Sequence, residues 1–518
     1  MLRLAFLLSL VAVAHSARIL AVFPTPSISH QVTFRPVINE LVNRGHEVVV
    51  ITTDPQKIKA KNLTEIDLHD VSYKIWNHIL ATEVMGVNDT IIDQMYKVYS
   101  ALVTVFDEQL KNSEVKDILA MKRGKFDLLI TEAVVRQALV FSQIYKVPLI
   151  QIGSLGPVCF NDHYMGALTH PLLYPLPWHK HVYNLTTWER IMNLYNHYRF
   201  QFYYNYYIAA YENEVLKKHL GPGILPVNEL YNNIDLLILN IHPLWIENQP
   251  VPPNVVFMNS IHLKPAKELP KELKSYLDSS KNGVVYVSFG SNVIPSAIEK
   301  MQVLLKALSE LPYDVLLKWD KEQLPIKAQN IRISKWLPQA DLLRHPKIKV
   351  FITQGGLQSL DEAMAAGVPL IGIPLFTDQW YNVDKFVRHN IGLRIDLEDL
   401  TEDVLINAVD TVIKNESYRE NIKRLNSIMQ DQPQPPLERA VWWIEHVLRH
   451  DAQWKIWCDG AAHLRARTAN MPLAQFLQLD LVALALGAVA AVCFTITCAM
   501  YLICKQLTKK TMIKIKKK

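Results

Sequence analysis

The sequence predicts an α/β protein with two domains built on strand–helix–strand units, followed by one C-terminal transmembrane helix. Apolar runs flank a helical pattern at residues 18–53 and again at 350–373, which is typical of parallel βαβ units. A proline-rich stretch separates the two units, and residues 481–504 contain no charged side chain. In such folds ligands gather at the carboxyl ends of the strands.

The composition excludes several classes of protein. The chain has 518 residues, enough for two or three domains. Its net charge is +6, but seven lysines lie within residues 505–518, so the body is close to neutral and no nucleic-acid partner is expected. Three of the five cysteines lie within residues 481–504, so the body can form at most one disulfide bridge. The spacing of Cys and His indicates no zinc site.

The N-terminus reads as a secretory signal peptide. Residues 1–16 combine Arg3, an apolar run and a small residue at the end, which predicts cleavage after Ser16. The N-terminal domain is then predicted to span residues 17–245. Four glycosylation sequons fit a body in the secretory lumen; their acceptors are Asn62, Asn88, Asn184 and Asn415.

The first strand–helix–strand unit is predicted to place a histidine at the mouth of a site. Arg18–Phe23 and Glu47–Thr53 have the composition of buried strands, and Phe34–Asn43 that of the helix between them. Residues 24–30 are expected to form the loop after the first strand. His30 ends this loop, near the carboxyl end of that strand.

Two further features belong to this domain. Residues 126–132 read as a strand that ends in Glu132, while Asp127 at its start is an alternative acid. Residues 160–207 are crowded with aromatic side chains. We expect most of them to pack in the core, with an apolar ligand pocket or a face against a bilayer as alternatives.

A second domain is predicted after a linker at residues 246–281. It spans residues 282–432 and opens with a strand, Gly283–Ser288, followed by Phe-Gly and Ser291. Residues 433–480 are assigned to a helix after a proline-rich break and to a juxtamembrane segment.

The centre of the second domain predicts a phosphate site. Val350–Thr353 reads as a strand, Gly355–Gly356 as a turn where the backbone can approach a ligand, and Leu357–Ala366 as a helix. The helix therefore begins at the end of a buried strand, with Ser359 in its first turn. Unpaired N–H groups and the helix dipole favour an anion there.

Neighbouring residues supply groups suited to a nucleotide sugar. Trp336 offers an indole face to a base, and Gln339 offers an amide to a base edge. Glu362 lies one helical turn after the phosphate site and can accept from two ribose hydroxyls. Asp378 and Gln379 follow the next strand and suit the hydroxyls of a hexose.

The phrases W-x-P-Q, F-I-T-x-G-G, S-x-x-E-A, G-V-P and D-Q follow one another between residues 336 and 379. In this order and spacing they resemble the signature of the UDP-glycosyltransferases, family 1. The chain looks most like the membrane-bound animal branch, and within it the insect-type UDP-glucosyltransferases. The resemblance implies a GT-B fold, in which two Rossmann-like domains face a cleft. The first domain would bind the acceptor and the second the UDP-sugar.

The resemblance also assigns roles. His30 matches the catalytic histidine, and Glu132 stands where the family has an orienting Asp, so their hydrogen bond would need a shifted backbone or a bridging water. Ser291 would help to hold phosphate. Gln354 replaces a frequent His beside the diphosphate, and Gln358 replaces a frequent Asn, as in insect-type members. The implied UDP-sugar site comprises Ser291, Trp336, Gln339, Gln354, Gly355, Gly356, Gln358, Ser359, Glu362, Asp378 and Gln379.

The implied reaction is an inverting transfer of a hexose, with glucose expected, from a UDP-sugar to a hydroxyl of a small lipophilic acceptor, as in detoxification. The chain contains neither Asp-x-Asp nor Gly-x-Gly-x-x-Gly, so neither a metal nor a dinucleotide cofactor is expected. Two alternatives are a non-catalytic lumenal nucleotide-sugar binder and an accessory subunit that recruits an active partner. Assembly into homo- or hetero-oligomers is left open.

The C-terminus predicts a membrane anchor. Residues 481–504 are long enough to span a bilayer, and the lysine-rich residues 505–518 mark the cytosolic side. This arrangement predicts a single-pass type I protein with a lumenal body. Lys514 and Lys516 stand fifth and third from the end, which resembles a retrieval signal of the endoplasmic reticulum; alternatively, the lysines only anchor the helix.

Overall fold

The computed structural model describes residues 16–84, 90–121, 123–291, 300–454 and 462–515. The signal peptide up to residue 15, Asn88 and the last three lysines lie outside this part of the chain. The first domain contains a seven-stranded parallel sheet in the order β3-β2-β1-β4-β5-β6-β7. Its strands are β1 Arg18–Phe23, β2 Glu47–Thr52, β3 Leu63–Asp67, β4 Leu128–Glu132, β5 Leu149–Gly153, β6 Ile234–Leu239 and β7 Val255–Phe257.

The second domain contains a six-stranded parallel sheet in the order β10-β9-β8-β11-β12-β13. Its strands are β8 Val284–Ser288, β9 Asp314–Lys318, β10 Ile331–Ser334, β11 Ile348–Thr353, β12 Leu370–Gly372 and β13 Gly392–Arg394. Central strands such as β4 and β8 are buried along their whole length, as expected where helices cover both faces of a sheet. The prediction of two Rossmann-like α/β domains is confirmed.

Helices connect the strands of both sheets. In the first domain they are α1 Ile28–Asn43, α2 His69–Ile79, α3 Ile91–Gln109, α4 Ser113–Ala120, α5 Val140–Tyr145, α6 Asn161–Tyr164, α7 Thr187–Tyr203, α8 Ala209–Leu220 and α9 Val227–Leu230. The helices that follow the first sheet along the chain are α10 Lys271–Ser279, α11 Met301–Glu310, α12 Gln339–Leu343, α13 Leu357–Ala366, α14 Gln379–Arg388, α15 Glu402–Lys414, α16 Ser417–Gln430, α17 Pro436–Trp454, α18 Leu473–Phe476 and α19 Leu479–Ile515.

The strand order places a crevice at the same point of each sheet. In the first sheet the order reverses between β1 and β4, and in the second between β8 and β11. Loops that leave the carboxyl ends of such neighbouring strands diverge and open a ligand site. The residues after β1, β4, β8 and β11 are therefore those best placed to meet a ligand.

The helix after the first strand begins earlier than the sequence predicts. It starts at Ile28 rather than at Phe34, so His30 lies in its first turn and not in a loop. The misleading signal is Pro36, which lies inside the helix although proline is favoured in the first turn and disfavoured in a helix interior.

The first sheet extends past the predicted domain boundary at residue 245. β7 lies inside the predicted linker, 246–281, and pairs with β6 through Val255 and Leu237. β7 has only three residues, Val255–Phe257, which are too few to show a strand pattern in the sequence.

After the second domain the chain returns to the first. The helix α17 presents Ala440, Val441, Ile444 and Val447 on one face, and all four are buried in a cluster with apolar side chains of β1, β4 and β6. The two domains are thereby tied by a helix as well as by the linker.

A separate compact unit begins at Arg467. It contains α19, whose residues Leu479–Lys510 are long and apolar enough to cross a membrane. This helix includes the predicted span 481–504 and fits a single-pass membrane anchor.

Candidate active site

The predicted catalytic pair lies at the switch point of the first sheet: His30 is in the first turn of α1, after β1, and Glu132 ends β4. Nδ1 of His30 lies 2.6 Å from Oε1 of Glu132, and the other oxygen of Glu132 accepts from the backbone N–H of Thr25 at 3.2 Å. Glu132 is fully buried, whereas His30 is partly exposed. The contact is direct, so the longer acid reaches the histidine without a bridging water. The described residues offer Nε2 of His30 no partner, so this nitrogen can meet a ligand.

Asp127, the alternative acid, lies at the opposite end of the same strand. Its Oδ2 accepts from the backbone N–H of Arg18 at 2.8 Å. Glu132 lies five positions further along the extended chain, so the two residues are about 17 Å apart at the usual rise of a strand. Asp127 therefore cannot contact His30.

The predicted phosphate turn follows β11. Gly355 has φ +93°, and a Cβ there would lie 2.4 Å from Cγ2 of Val383, so only glycine fits. Asn382 fixes the turn by donating to the carbonyl of Gly355 at 2.9 Å. Gly356 then caps α13, whose first N–H groups point away from the strand. Gln354 is buried beside this turn, and its Oε1 accepts from Thr353.

Trp336 projects from the loop before α12. It is 65% exposed, which leaves an indole face available to a base. Nζ of Lys318, at the end of β9, lies 4.6 Å from the centre of the indole ring and donates to the carbonyl of Gly290 at 2.7 Å. Burial lowers the pKa of Lys318. Ser291 is exposed next to it, at the edge of the described residues.

Gln339 lies in a hydrogen-bonded network rather than standing free. Its amide nitrogen donates to Ser359 at 2.9 Å and to Glu362 at 2.8 Å, and its oxygen accepts from Tyr286 at 2.9 Å. Ser359, predicted to meet phosphate, therefore already accepts from a side chain. Burial raises the pKa of Glu362.

The predicted sugar residues stand at the start of α14. Asp378 accepts from Asn382 at 2.8 Å and from Thr377 at 3.1 Å, and burial raises its pKa. The oxygen of Gln379 accepts from the backbone N–H groups of Leu375 and Phe376. The amide nitrogen of Gln379 has no partner among the described residues, so it can donate to a ligand.

Gln358 differs from the other predicted donor residues because it reaches the first domain. Its amide donates to the carbonyl of Ser154, just after β5, at 3.0 Å. This contact joins the start of α13 to the first sheet. Gln358 therefore acts across the cleft in this structure, although it also lines the cavity.

One cavity of about 420 Å³ unites these groups. It is lined by His30 from the first domain and by Asp378 and Gln379 from the second, together with all the other predicted donor residues except Gly355. Beyond His30 its wall is largely apolar: Ile28, Val32, Trp76, Met95, Val98, Tyr99, Leu102, Val134, Leu155, Val158, Pro177 and Trp178.

The aromatic segment 160–207 divides between two environments. Trp178, Phe200 and Tyr204 are buried, and Trp178 lines the cavity. Trp188 and several tyrosines of α7 are exposed instead. Core packing, pocket lining and surface exposure thus all occur in the segment.

Sequence reasoning missed three residues that position parts of the site: Tyr286, Lys318 and Asn382. Tyr286 donates to Gln339, Lys318 to the carbonyl of Gly290, and Asn382 to the carbonyl of Gly355. Each stands on or directly after a parallel strand or at the start of a helix, but none belongs to a recognisable motif. The apolar run at residues 315–317 is a signal for a strand that the sequence analysis did not use, and it could have placed Lys318 at a carboxyl end.

The described sequons differ in accessibility. Asn184 and Asn415 are exposed. The amide of Asn62 donates to the carbonyls of Val42 and His46, both at 2.8 Å, so a glycan, which replaces one of the two amide hydrogens, would break at least one hydrogen bond of the fold.

The chain matches a family model described as "UDP-glucoronosyl and UDP-glucosyl transferase" over residues 18–516. It belongs to this UDP-glycosyltransferase family. It is 36% identical over 485 residues to an ecdysteroid UDP-glucosyltransferase of Lymantria dispar multicapsid nuclear polyhedrosis virus, covering 91% of this chain and 93% of that protein. It is 32% identical to UDP-glucosyltransferase 2 of the insect Dactylopius coccus, covering 96% and 95%.

Solved structures agree on the fold. The glycosyltransferase of kitacinnamycin superposes with a TM-score of 0.55 at 20% identity and covers 83% of this chain and 98% of that one. This UDP-glycosyltransferase therefore has the GT-B fold, as the resemblance implies. Among the described residues, no group of three or more His, Cys, Asp or Glu is arranged to hold a metal ion.

Proposed function

We propose that this UDP-glycosyltransferase transfers glucose, with inversion, from UDP-glucose to a hydroxyl of a small lipophilic acceptor. One observation supports this most directly. His30, which is held by the buried Glu132, and the Asp378–Gln379 pair line the same cavity from opposite domains. An acceptor in the apolar part and a sugar held by the Asp378–Gln379 pair would meet beside His30.

The first step is removal of a proton. Nδ1–H of His30 donates to Glu132, which fixes the ring and leaves Nε2 to take the proton of the acceptor hydroxyl. The oxygen forms its bond to the anomeric carbon as the bond from that carbon to UDP breaks. Attack from the face opposite UDP turns an α-linked donor into a β-glycoside.

The leaving diphosphate meets backbone rather than charged side chains. Gly355 and Gly356 allow it to approach the N-terminus of α13, where unpaired N–H groups and the helix dipole favour an anion. The amide of Gln354 lies beside this position. No metal or other cofactor is needed in this proposal.

Glucose is favoured over glucuronate by the charge around Asp378. A glucuronosyl carboxylate would lie near the carboxylate of Asp378, which repels it. Neither Arg nor Lys from the described residues lines that end of the cavity; Lys318 lies at the other end, beside Trp336.

The acceptor end supports a lipophilic substrate. Its wall is built from aliphatic and aromatic side chains, and the hydroxyl oxygen of Tyr99 accepts from the thiol of Cys159 at 2.9 Å. Burial of apolar surface would supply most of the binding free energy. A role in detoxification or metabolite conjugation follows from this chemistry.

We further propose that the protein is a type I glycoprotein of the endoplasmic reticulum membrane with a lumenal catalytic body. The apolar helix α19 and the lysines after residue 504 support this orientation. Trypsin added to sealed microsomes should trim only the tail. Digestion of the body would show that the site faces the cytosol.

The function is tested by incubating microsomes that contain the protein with a simple phenol and either UDP-glucose or UDP-glucuronate. We expect the phenyl glucoside from the first donor and little product from the second. Product from UDP-glucuronate alone would overturn the donor assignment. Absence of product with retained UDP binding would favour the lumenal binder or accessory subunit, against which the intact His30–Glu132 contact argues.

A further inference from the structure

The surface of the first domain carries a long uncharged stripe. α7, the π-helical turn Tyr204–Ile208 and α8 form one continuous helix. Between residues 191 and 211 this helix exposes eight side chains, none of them charged: Ile191, Tyr195, Tyr198, Phe202, Tyr206, Tyr207, Ala210 and Tyr211. We call these eight residues the aromatic stripe; it runs about 30 Å along the helix.

The stripe is a continuous surface rather than a set of scattered residues. From Ile191 to Tyr206 its members recur at spacings of three and four, so they share one face of the helix, and Tyr207, Ala210 and Tyr211 widen that face after the π-helical turn. The ring centres of Phe202 and Tyr206 are 4.9 Å apart, and those of Phe202 and Tyr207 are 5.8 Å apart. Single exposed apolar side chains are ordinary on a soluble surface, but a contiguous row marks an interaction site.

A buried arginine holds the stripe in register. Arg136 is fully buried, donates to the carbonyl of Tyr204 at 2.6 Å and pairs with Glu212 at 2.5 Å. The carbonyl belongs to the π-helical turn, which adds one residue to the helix at this point. As a result Tyr206 and Tyr207 both stay on the exposed side, 67% and 55% exposed.

Apart from tyrosines, the ionisable side chains between residues 191 and 211 are Arg199, which is paired, and His197, whose imidazole is partly buried. Arg199 points back to α3, where it pairs with Asp93 at 2.7 Å. Burial lowers the pKa of His197 to about 4, so its imidazole is uncharged at neutral pH.

We propose that the aromatic stripe lies in the headgroup region of the bilayer that anchors the chain. The inference rests on the proposed membrane attachment through α19. Tyrosine suits this region because its ring is apolar and its hydroxyl is polar, and five of the eight stripe residues are tyrosines. A helix of this kind enters a membrane by about 5–10 Å, which is enough to cover one face.

The opposite face of the same helix points to the acceptor end of the cavity. Phe200 packs on Trp178 with ring centres 4.7 Å apart and on Tyr99 at 5.8 Å, and both partners line the cavity. The stripe and the cavity wall are thus separated by about one helix diameter, 10 Å. A lipophilic acceptor dissolved in the bilayer would be concentrated beside its binding site.

The experiment places an environment-sensitive fluorophore on single cysteines of the full chain in lipid vesicles. The background replaces Cys458, Cys493, Cys498 and Cys504 by Ser and keeps the buried Cys159. The test variant is Tyr198→Cys, with Tyr206→Cys as a second stripe position. Ile428→Cys on α16, also an exposed apolar position, is the control in the second domain. A sample that retains only native Cys493 reports on the anchor helix. Glucosylation of a phenol shows that each labelled chain is folded.

We expect lipids that carry a nitroxide near the headgroup to quench most of the fluorescence of the label at residue 198. Lipids with a nitroxide deeper in the bilayer should quench the label at Cys493. Neither kind of lipid should quench the label at residue 428. If Cys493 is not quenched, the membrane attachment itself is wrong. If Cys493 is quenched but both stripe positions behave like residue 428, the stripe proposal alone is overturned. Iodide added to the aqueous phase quenches labels that are exposed to water. A label at residue 198 that neither iodide nor the nitroxide lipids quench would be covered by a protein partner or a second copy, and this result would also overturn the proposal.

Discussion

The two halves of the cleft are built in opposite ways. The donor half takes most of its side chains from residues 336–382, and they are polar and bonded to one another. The acceptor half collects apolar side chains from segments spread between residues 28 and 178, around one polar pair, His30 and Glu132. A contiguous, hydrogen-bonded half can bind one donor closely, whereas an apolar wall discriminates weakly between acceptors of similar size.

The halves should therefore differ in what a single substitution does. In the proposed mechanism only His30, oriented by Glu132, touches the reacting atoms in the acceptor half, so loss of this pair should stop chemistry and leave donor binding intact. In the donor half the side chains support one another, so single losses should weaken binding by moderate amounts.

The largest effect is expected for His30→Ala. Removal of a general base typically costs about 10²–10⁴-fold in rate. We expect kcat for glucoside formation to fall by this factor, while the Kd for UDP, measured by calorimetry, stays unchanged because the donor residues belong to the other domain. His69→Ala is the matched control, since His69 is an exposed histidine of the first domain outside the cavity. A parallel loss of UDP binding would contradict the separation of the two halves.

The next effect concerns the contact that joins the halves. Lys385 is fully buried on α14, donates to Tyr183 at 3.0 Å and pairs with Glu247 of the first domain at 2.5 Å. Lys385→Met removes the cation beside Glu247, which keeps only the hydroxyl of Tyr183 as a donor, and should lower the free energy of unfolding by about 1.5–3 kcal/mol. The Tm in detergent should fall accordingly.

Lys414→Met is the control for this substitution because Lys414 pairs with Asp410 at the exposed surface, where a pair contributes about 0–1 kcal/mol. The double variant Lys385→Met with Glu247→Leu should recover part of the loss. An unchanged Tm in the single variant would show that this pair does not hold the halves together.

Glu132→Asp tests the length of the carboxylate. The direct 2.6 Å contact shows that the fold accommodates glutamate, so an aspartate would stop one methylene short of His30. Loss of a hydrogen bond to a charged group costs about 1.5–3 kcal/mol, so kcat should fall about 10- to 100-fold. Asp127→Asn, at the far end of the same strand, should leave kcat unchanged. Full activity of Glu132→Asp would mean that the pair tolerates a bridging water.

Trp336→Ala should have a smaller effect, confined to the donor half. Loss of base stacking costs about 1–3 kcal/mol and should raise the KM for UDP-glucose with little change in the KM for the acceptor. Trp188→Ala is matched in exposure, at 68% against 65%, and should leave donor KM unchanged in detergent. Equal effects of the two substitutions would refute the stacking role.

The same contrast explains what the sequence could and could not predict. The donor half is local: a strand end, the turn at Gly355 and a helix start follow within a few residues, so spacing alone locates them. The pairing of His30 with Glu132 joins positions 102 residues apart, and only the family resemblance brought them together. The apolar wall had no local signal at all.

Tertiary contacts account for the remaining differences. The partners of Gln339 on α12 come from β8 and α13, which the strand order of the sheet brings together. The contact of Gln358 with Ser154 depends on how the two domains face each other. β7 was missed because its three residues are recognisable only beside β6. Pro36 hid the first turn of α1 because a single sequence cannot show that the fold tolerates it.

The smallest effect is expected at the junction of the halves and depends on pH. Asp361 is buried on α13, and burial raises its pKa to about 8. Oδ2 of Asp361 lies 4.0 Å from Nδ1 of His262, a buried residue before the second domain, whose pKa burial lowers to about 4. A carboxyl whose folded pKa is raised stabilises the fold at low pH, and this contribution is lost as pH rises toward 8. A histidine whose folded pKa is lowered has the opposite slope between about pH 4 and 6.5.

Up to about pH 6.5 Asp361 and His262 therefore change the free energy of unfolding with pH in opposite directions. Above pH 6.5, of these two residues, only Asp361 still changes it. Between pH 6.5 and 8 the free energy of unfolding should fall by about 1 kcal/mol per pH unit from this group. Asp361→Asn removes this ionisation, so its Tm in detergent should fall less over that interval than that of the parent chain; the part that remains includes Glu212, whose pKa burial raises to about 7. Asp410→Asn, at an exposed position, should follow the parent. If Asp361→Asn keeps the slope of the parent, the carboxyl already titrates at its ordinary pKa, and the two halves meet through an ionised rather than a neutral group.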